Sequence, residues 1–99
     1  MRPIHIARLD KSRPVLVLTR EIVRPHLRTV TVAPITSTAR GLSTEVAVGA
    51  TNGLDEPSVV ACDHITTIPS SALGARVGLL LDTQEPDLAR AIRAAFDLD

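Results

Sequence analysis

Aromatic side chains are almost missing from this chain of 99 residues, which has no tryptophan, no tyrosine and a single phenylalanine, Phe96. Such a protein cannot grip single-stranded nucleic acid by stacking bases on a row of rings, the common device of proteins that bind single strands. The one cysteine, Cys62, has no partner, which excludes an intramolecular disulfide and a multi-cysteine zinc site. It reads as a small buried core residue. The three histidines, His5, His26 and His64, lack the spacing of a metal site, so neither metal nor cofactor is expected. No run of about 18 uncharged apolar residues is present to cross a bilayer. Arg2, His5, Arg8 and Asp10 fall where a secretory signal would carry its apolar stretch. A cytoplasmic protein with no membrane partner is the expectation.

What is present is enough apolar material, 44% of residues, for one domain over residues 1–99 that buries roughly 60–70% of its unfolded surface. The net charge of zero hides an asymmetry. Residues 1–40 carry eight basic groups against Asp10 and Glu21, a balance of +6, and residues 41–99 carry three against nine acids, a balance of −6. A chain divided in this way can offer a basic face to a polyanion and stay neutral overall.

The most informative stretch runs from Lys11 to Leu18. Arg13 stands at the mouth of a strand, Arg13 to Thr19, whose unbroken Val15 Leu16 Val17 Leu18 run implies burial on both faces, with a core on one and another layer or subunit on the other. A further strand, Thr29 to Ile35, alternates threonine with valine and leads into Thr36, with Pro34 limiting ladder pairing near its end. If the two strand ends meet, a charge that cannot be lost and a hydroxyl form a phosphate site.

Around these, Ile4 to Leu9, Ser43 to Val48, Ser58 to Ile65 and Arg76 to Leu81 read as strands, and Asn52 Gly53 as a tight turn. Residues 20–28 and Thr66 to Leu73, each with a proline, read as connections or single helical turns. Leu88, Ile92, Ala95 and Phe96 recur at the spacing of one helix face, with Asp82 or Thr83 as N-cap and Phe96 in the helix core. The fold expected is mostly β: a small antiparallel β-barrel closed by a C-terminal α-helix.

The order of these pieces resembles the MazF/PemK family of toxins from bacterial toxin-antitoxin pairs. The matching residues are Arg13 Pro14 Val15 Leu16 Val17 Leu18, Val32 Ala33 Pro34 Ile35 Thr36 Ser37, Asn52 Gly53 Leu54, Ser58 Val59 Val60 Ala61 Cys62 Asp63 with Thr67 Ile68, and Leu73 Gly74 Ala75 Arg76 Val77 Gly78. They cover roughly residues 4 to 96. The chain departs from the family in two places: the loop before Arg13 is cut to Asp10 Lys11 Ser12, and Thr66 stands where an arginine is common.

The resemblance implies an SH3-like, CcdB/PemK-type barrel that forms a homodimer and is held inactive by a cognate antitoxin. It implies a sequence-selective endoribonuclease that cleaves single-stranded RNA without metal and thereby inhibits translation and growth. The ribose 2′-hydroxyl attacks its own phosphate, leaving 2′,3′-cyclic phosphate and 5′-hydroxyl ends. Arg13 and Thr36 match the family's catalytic positions, and Asp63 matches an acidic residue that some relatives use near the scissile group. A guanidinium suits charge stabilisation better than proton transfer, so Asp63 is the more attractive base and His64 the next. Lys11, Ser37, Thr38, Arg40 and His64 are the expected RNA contacts, with Arg28 a further phosphate contact. Binding should weaken steeply as salt rises. Two other classes stay open: a gyrase-binding toxin similar to CcdB, which relies on a C-terminal tryptophan where this chain ends Phe96 Asp97 Leu98 Asp99, and a non-catalytic RNA-binding barrel.

Overall fold

A computed structural model describes residues 1–98 of the chain. Seven strands and one helix follow in order: β1 (Pro3–Arg8), β2 (Ser12–Val17), β3 (Thr29–Thr36), β4 (Glu45–Val48), β5 (Ser58–Ala61), β6 (Thr66–Pro69), β7 (Leu73–Leu79) and α1 (Glu85–Ala95). Every pairing is antiparallel, and the strands run β4-β5-β3-β2-β1-β7, with β6 added beside β3.

β3 organises the sheet because its second edge changes partner. Thr29 to Val32 pair with β6, whereas Ile35 and Thr36 pair with β5. Pro34 falls in the interval between these two partners, where a residue without an N–H leaves no rung unmade. The strand therefore runs on through Pro34 to Thr36, one residue beyond the sequence expectation.

The apolar run of β2 is buried on both faces within one chain. Leu16 joins Ile4, Ala33, Ile35, Val46, Val60, Leu80, Leu88 and Ala91 in one cluster, and Val15 and Val17 join Ala7, Val30, Val32 and Ile68 in another. Period-2 alternation sends neighbouring residues to opposite clusters. No second subunit is needed to explain this burial. Each cluster is held by the usual stabilisation of about 1.5–3 kcal/mol per fully buried aliphatic side chain.

The barrel-like sheet does not close by a ladder, since β4 and β7 end the strand path. A buried amide bridges the opening instead. Asn52, 1% exposed in the turn after β4, donates from Nδ2 to the Leu79 carbonyl at 2.9 Å and to Gln84 Oε1 at 2.6 Å. Its Oδ1 accepts the Gly49 N–H at 3.1 Å. The same turn brings Gly53, in the left-handed region at φ 85, against Gly78, where any Cβ would collide with the Asn52 carbonyl.

The helix begins differently from the expectation. Asp82 to Gln84 form a 3₁₀ turn that leads directly into α1, and neither Asp82 nor Thr83 caps it by a side chain. Gln84 does the local work by accepting the Leu81 N–H at 2.9 Å, while Arg2 binds Glu85 in the first turn at 2.9 Å. Leu88 and Ala91 are buried beneath α1, but Phe96 is 55% exposed just past its end and is not a core residue. Thr66 to Pro69, expected as a connection, is strand β6, and a 3₁₀ turn over Ser70 to Ala72 follows it. The strand expected over Ser58 to Ile65 ends at Ala61, so Asp63 and His64 lie in a 3₁₀ turn. No helix among the described residues is long and apolar enough to cross a membrane.

Candidate active site

β2 and β3 pair through Val17 with Val32, Leu16 with Ala33 and Val15 with Pro34. The ladder stops there, where each strand has a proline, and the same register carried two residues further sets Arg13 opposite Thr36. Both side chains line an open cleft of about 870 Å³ together with Asp10, Thr38, Arg40, Asp63 and His64. A smaller cleft of about 370 Å³ lies alongside, lined by Lys11, Ser37, Asp55 and Glu56. Arg13, Thr36 and Thr38 border both clefts and form the divide between them.

Each group is held by its local fold. Arg13 is 25% exposed, with its Nε buried and without a hydrogen-bond partner among the described residues, and its Nη2 lies 3.5 Å from Asp10 Oδ1. The guanidinium is thus fixed at its stem and open at its tip. Thr36 Oγ1 accepts the Thr38 N–H at 3.1 Å, which orients the oxygen and leaves its proton to donate. Asp63 Oδ2 accepts the Thr44 hydroxyl at 2.7 Å, so the carboxylate is tied to the segment leading into β4. His64 is exposed and borders the larger cleft.

The loop from Ser37 to Thr44 takes its shape from a residue that the sequence gave no reason to choose. The Glu45 carboxylate accepts the Arg40 N–H at 3.2 Å and the Leu42 N–H at 3.1 Å, and the Glu45 N–H binds back to the Leu42 carbonyl at 3.1 Å. Gly41 supplies the left-handed turn at φ 73. The Arg40 guanidinium, which forms no ion pair among the described residues, is held over the cleft by this loop.

The structure thus gathers Arg13, Thr36, Thr38, Arg40, Asp63 and His64 in one cleft and puts Lys11 and Ser37 in the neighbouring one. Arg28 borders neither cleft. Asp10 and Glu45 were missed, because an acid in a loop and an acid on a strand carry no pattern that marks them. Cys62, buried beneath this turn, has its thiol pushed up to about 11, first by burial and then by the Asp63 charge. It stays a neutral thiol and no nucleophile at ordinary pH. Of the ion pairs described, only Arg2 with Glu85 joins the basic first part of the chain to the acidic remainder, so the charge asymmetry largely survives folding.

A bent antiparallel sheet sealed by a C-terminal helix, with a cation and a hydroxyl facing each other at adjoining strand ends, defines a small β-protein built around an anion-sized site. Residues 5–96 match the model of the PemK-like, MazF-like toxins of type II toxin-antitoxin systems, and the chain belongs to that family. It is 69% identical over 99 residues to the endoribonuclease MazF3 of Mycobacterium tuberculosis strain H37Rv, covering all of this chain and 96% of that protein. The solved structure of the Mycobacterium tuberculosis toxin MazF-mt6 superposes with a TM-score of 0.97 at 68% identity, covering 99% of each chain. A mycobacterial endoribonuclease in complex with its cognate antitoxin shares the fold at a TM-score of 0.87 and 23% identity, over 98% of this chain and 93% of that one.

Proposed function

We propose that this chain is the toxin of a toxin-antitoxin pair and a sequence-selective endoribonuclease that cleaves single-stranded RNA without metal. The observation that carries the reading is the placement of Arg13 opposite Thr36 on the divide between two clefts, in a chain of this family. A strand of RNA that passes from one cleft to the other brings a phosphate over these two groups.

The nucleophile is the ribose 2′-hydroxyl, already attached to the substrate, so no activated water has to be generated. The products are a 2′,3′-cyclic phosphate and a 5′-hydroxyl. Arg13 binds the phosphate through its Nη end and stabilises the charge that builds on the phosphorane, and Thr36 donates its free proton to a non-bridging oxygen. Asp63 and His64, from the turn after β5, are the acceptors for the 2′-proton that the sequence nominates. Arg40, Thr38 and His64 contact the strand in the larger cleft, and Lys11 and Ser37 contact it in the smaller. With no aromatic ring lining either cleft, bases are read by hydrogen bonds and guanidinium planes. Two copies form the working toxin. An acidic antitoxin segment competes for the same basic groups, and cleavage of RNA inhibits translation and growth.

Incubation of the purified protein with mixed RNA in EDTA tests this reading. Fragments with cyclic phosphate ends, absent with Arg13→Ala, are the expected result. Intact RNA with a folded protein free of antitoxin would overturn it.

A further inference from the structure

The reaction needs a proton acceptor, and Asp63 makes no ion pair with Arg13 among the described residues. A different carboxylate does. Asp10 lies in the short turn between β1 and β2, where the Leu9 N–H binds the Lys11 carbonyl at 3.1 Å, just past the pairing of Arg8 with Ser12. Its Oδ1 accepts the Lys11 N–H at 2.9 Å and lies 3.5 Å from Arg13 Nη2. The carboxylate is therefore positioned by the backbone of a tight turn. Its side chain is 75% exposed on the larger cleft, and Oδ2 makes no hydrogen bond among the described residues.

We propose that Asp10 is the general base of the reaction, an inference that rests on the ribonuclease reading above. A phosphate oxygen hydrogen-bonded to an Arg13 Nη nitrogen at about 2.9 Å brings the neighbouring 2′-oxygen within a few ångströms of that nitrogen. A carboxylate 3.5 Å from the same nitrogen is then within reach of the 2′-proton. In the step, the 2′ O–H bond breaks and its proton passes to Asp10 Oδ2, while the oxygen's electron pair forms the bond to phosphorus. The bond from phosphorus to the 5′-oxygen breaks, and that oxygen takes a proton from water. The resulting hydroxide takes the proton held by Asp10, so the cycle consumes no water. Arg13 carries the charge on phosphorus and at the same time fixes the base beside it. Asp63, held by Thr44 in the turn after β5, acts on substrate position instead.

The ionisable groups that share the cleft are Arg13, Arg40, Glu45, Asp63 and His64, with Lys11 flanking Asp10. The test must therefore separate Asp10 from the other carboxylates and from the histidine. Single-turnover cleavage of one defined RNA is measured across pH for the wild type, Asp10→Asn, Asp10→Glu, Asp63→Asn and His64→Gln, with thermal melting as the folding check. Asp10→Ser, whose hydroxyl still accepts the Lys11 N–H, is the second variant should the asparagine fail to fold.

The expected result is a rate reduced roughly 10²- to 10⁴-fold in Asp10→Asn with the acid limb of the profile gone. Asp10→Glu restores that limb, Asp63→Asn and His64→Gln keep it, and RNA affinity in Asp10→Asn is equal to or tighter than wild type. An acid limb and a rate within threefold of wild type in Asp10→Asn would overturn the proposal, as would loss of the limb in Asp63→Asn or His64→Gln instead. Failure of the underlying reading looks different: the wild type then leaves RNA intact at every pH.

Discussion

Arg13 and Thr36 come from strands that diverge in sequence by a long connection, yet the β2–β3 register sets them opposite each other two residues beyond the last rung, Val15 with Pro34. Prolines at 14 and 34 end the ladder, and the side chains past that point border the clefts rather than a neighbouring strand.

This relationship makes the two residues unequal partners. Replacing Thr36 by valine removes one hydrogen bond to a charged oxygen, about 1.5–3 kcal/mol, so cleavage should slow roughly 10- to 100-fold. Thr36→Ser should stay close to wild type. Arg13→Lys keeps the charge but loses the planar fork, and Arg13→Ala loses both, so the alanine should be slower by a further tenfold or more. Single-turnover rates on a defined RNA, with melting curves to confirm folding, check the order.

Glu45 should control selectivity more than chemistry. Its carboxylate holds the Arg40 and Leu42 N–H groups, so Glu45→Ala frees the loop that carries Thr38 and Arg40. We expect cleavage to persist at reduced rate while discrimination among sequences falls. Comparison of kcat/KM over a panel of single-base variants of a good substrate measures this directly, and unchanged discrimination would contradict it.

Asn52 is the main polar fastener of the fold. Its loss leaves the Leu79 carbonyl, the Gly49 N–H and Gln84 without their partner at the seam between β4 and β7, so Asn52→Ala should cost about 2–4 kcal/mol. Gly78→Ala forces a Cβ onto the Asn52 carbonyl and should be at least as damaging. Urea denaturation followed by circular dichroism provides both values.

Cys62 gives the protein an alkaline weakness. Its thiol ionises at 9.0 in the reference state and at about 11 when folded, so the unfolded chain releases this proton first. The associated stability is complete below pH 9 and is lost as pH rises towards 11. The window is clean, because the chain has no tyrosine and Lys11 is its one lysine. Denaturation at pH 8 and pH 11 should show a larger loss for wild type than for Cys62→Ala.

Much of this fold is legible in the sequence because its signals are local. The Val15 to Val17 run, the alternation in Thr29 to Ile35 and the helical spacing of Leu88 and Ile92 each report a period that burial then enforces. β6 was not legible, since Pro69 and Ser70 read as a turn and the pairing of Thr66 to Pro69 is supplied by β3, far away in sequence. Phe96 was placed in the core by its spacing, but α1 ends at Ala95 and the next residue turns outward. The double burial of β2 was legible and its cause was not: the second layer is the chain itself.

The site divides in the same way. Arg13 and Thr36 are marked by strand ends and by family motifs, and the structure brings them together. Asp10 is marked by nothing, because its importance arises from a 3.5 Å approach across a turn whose shape the sequence does not announce. Glu45 is similar. Its role is to hold backbone donors, which any acid at that position does only if the loop returns to it.

The central claim is that the substrate's own 2′-hydroxyl is the nucleophile over Arg13. It is tested most directly with two versions of one RNA, all-ribose and carrying a single 2′-deoxy nucleotide on the 5′ side of the cleaved bond, in EDTA. The all-ribose RNA should be cut there to a cyclic phosphate and the deoxy version should remain whole at that bond while binding equally well. Cleavage of the deoxy RNA at the same position would contradict the account.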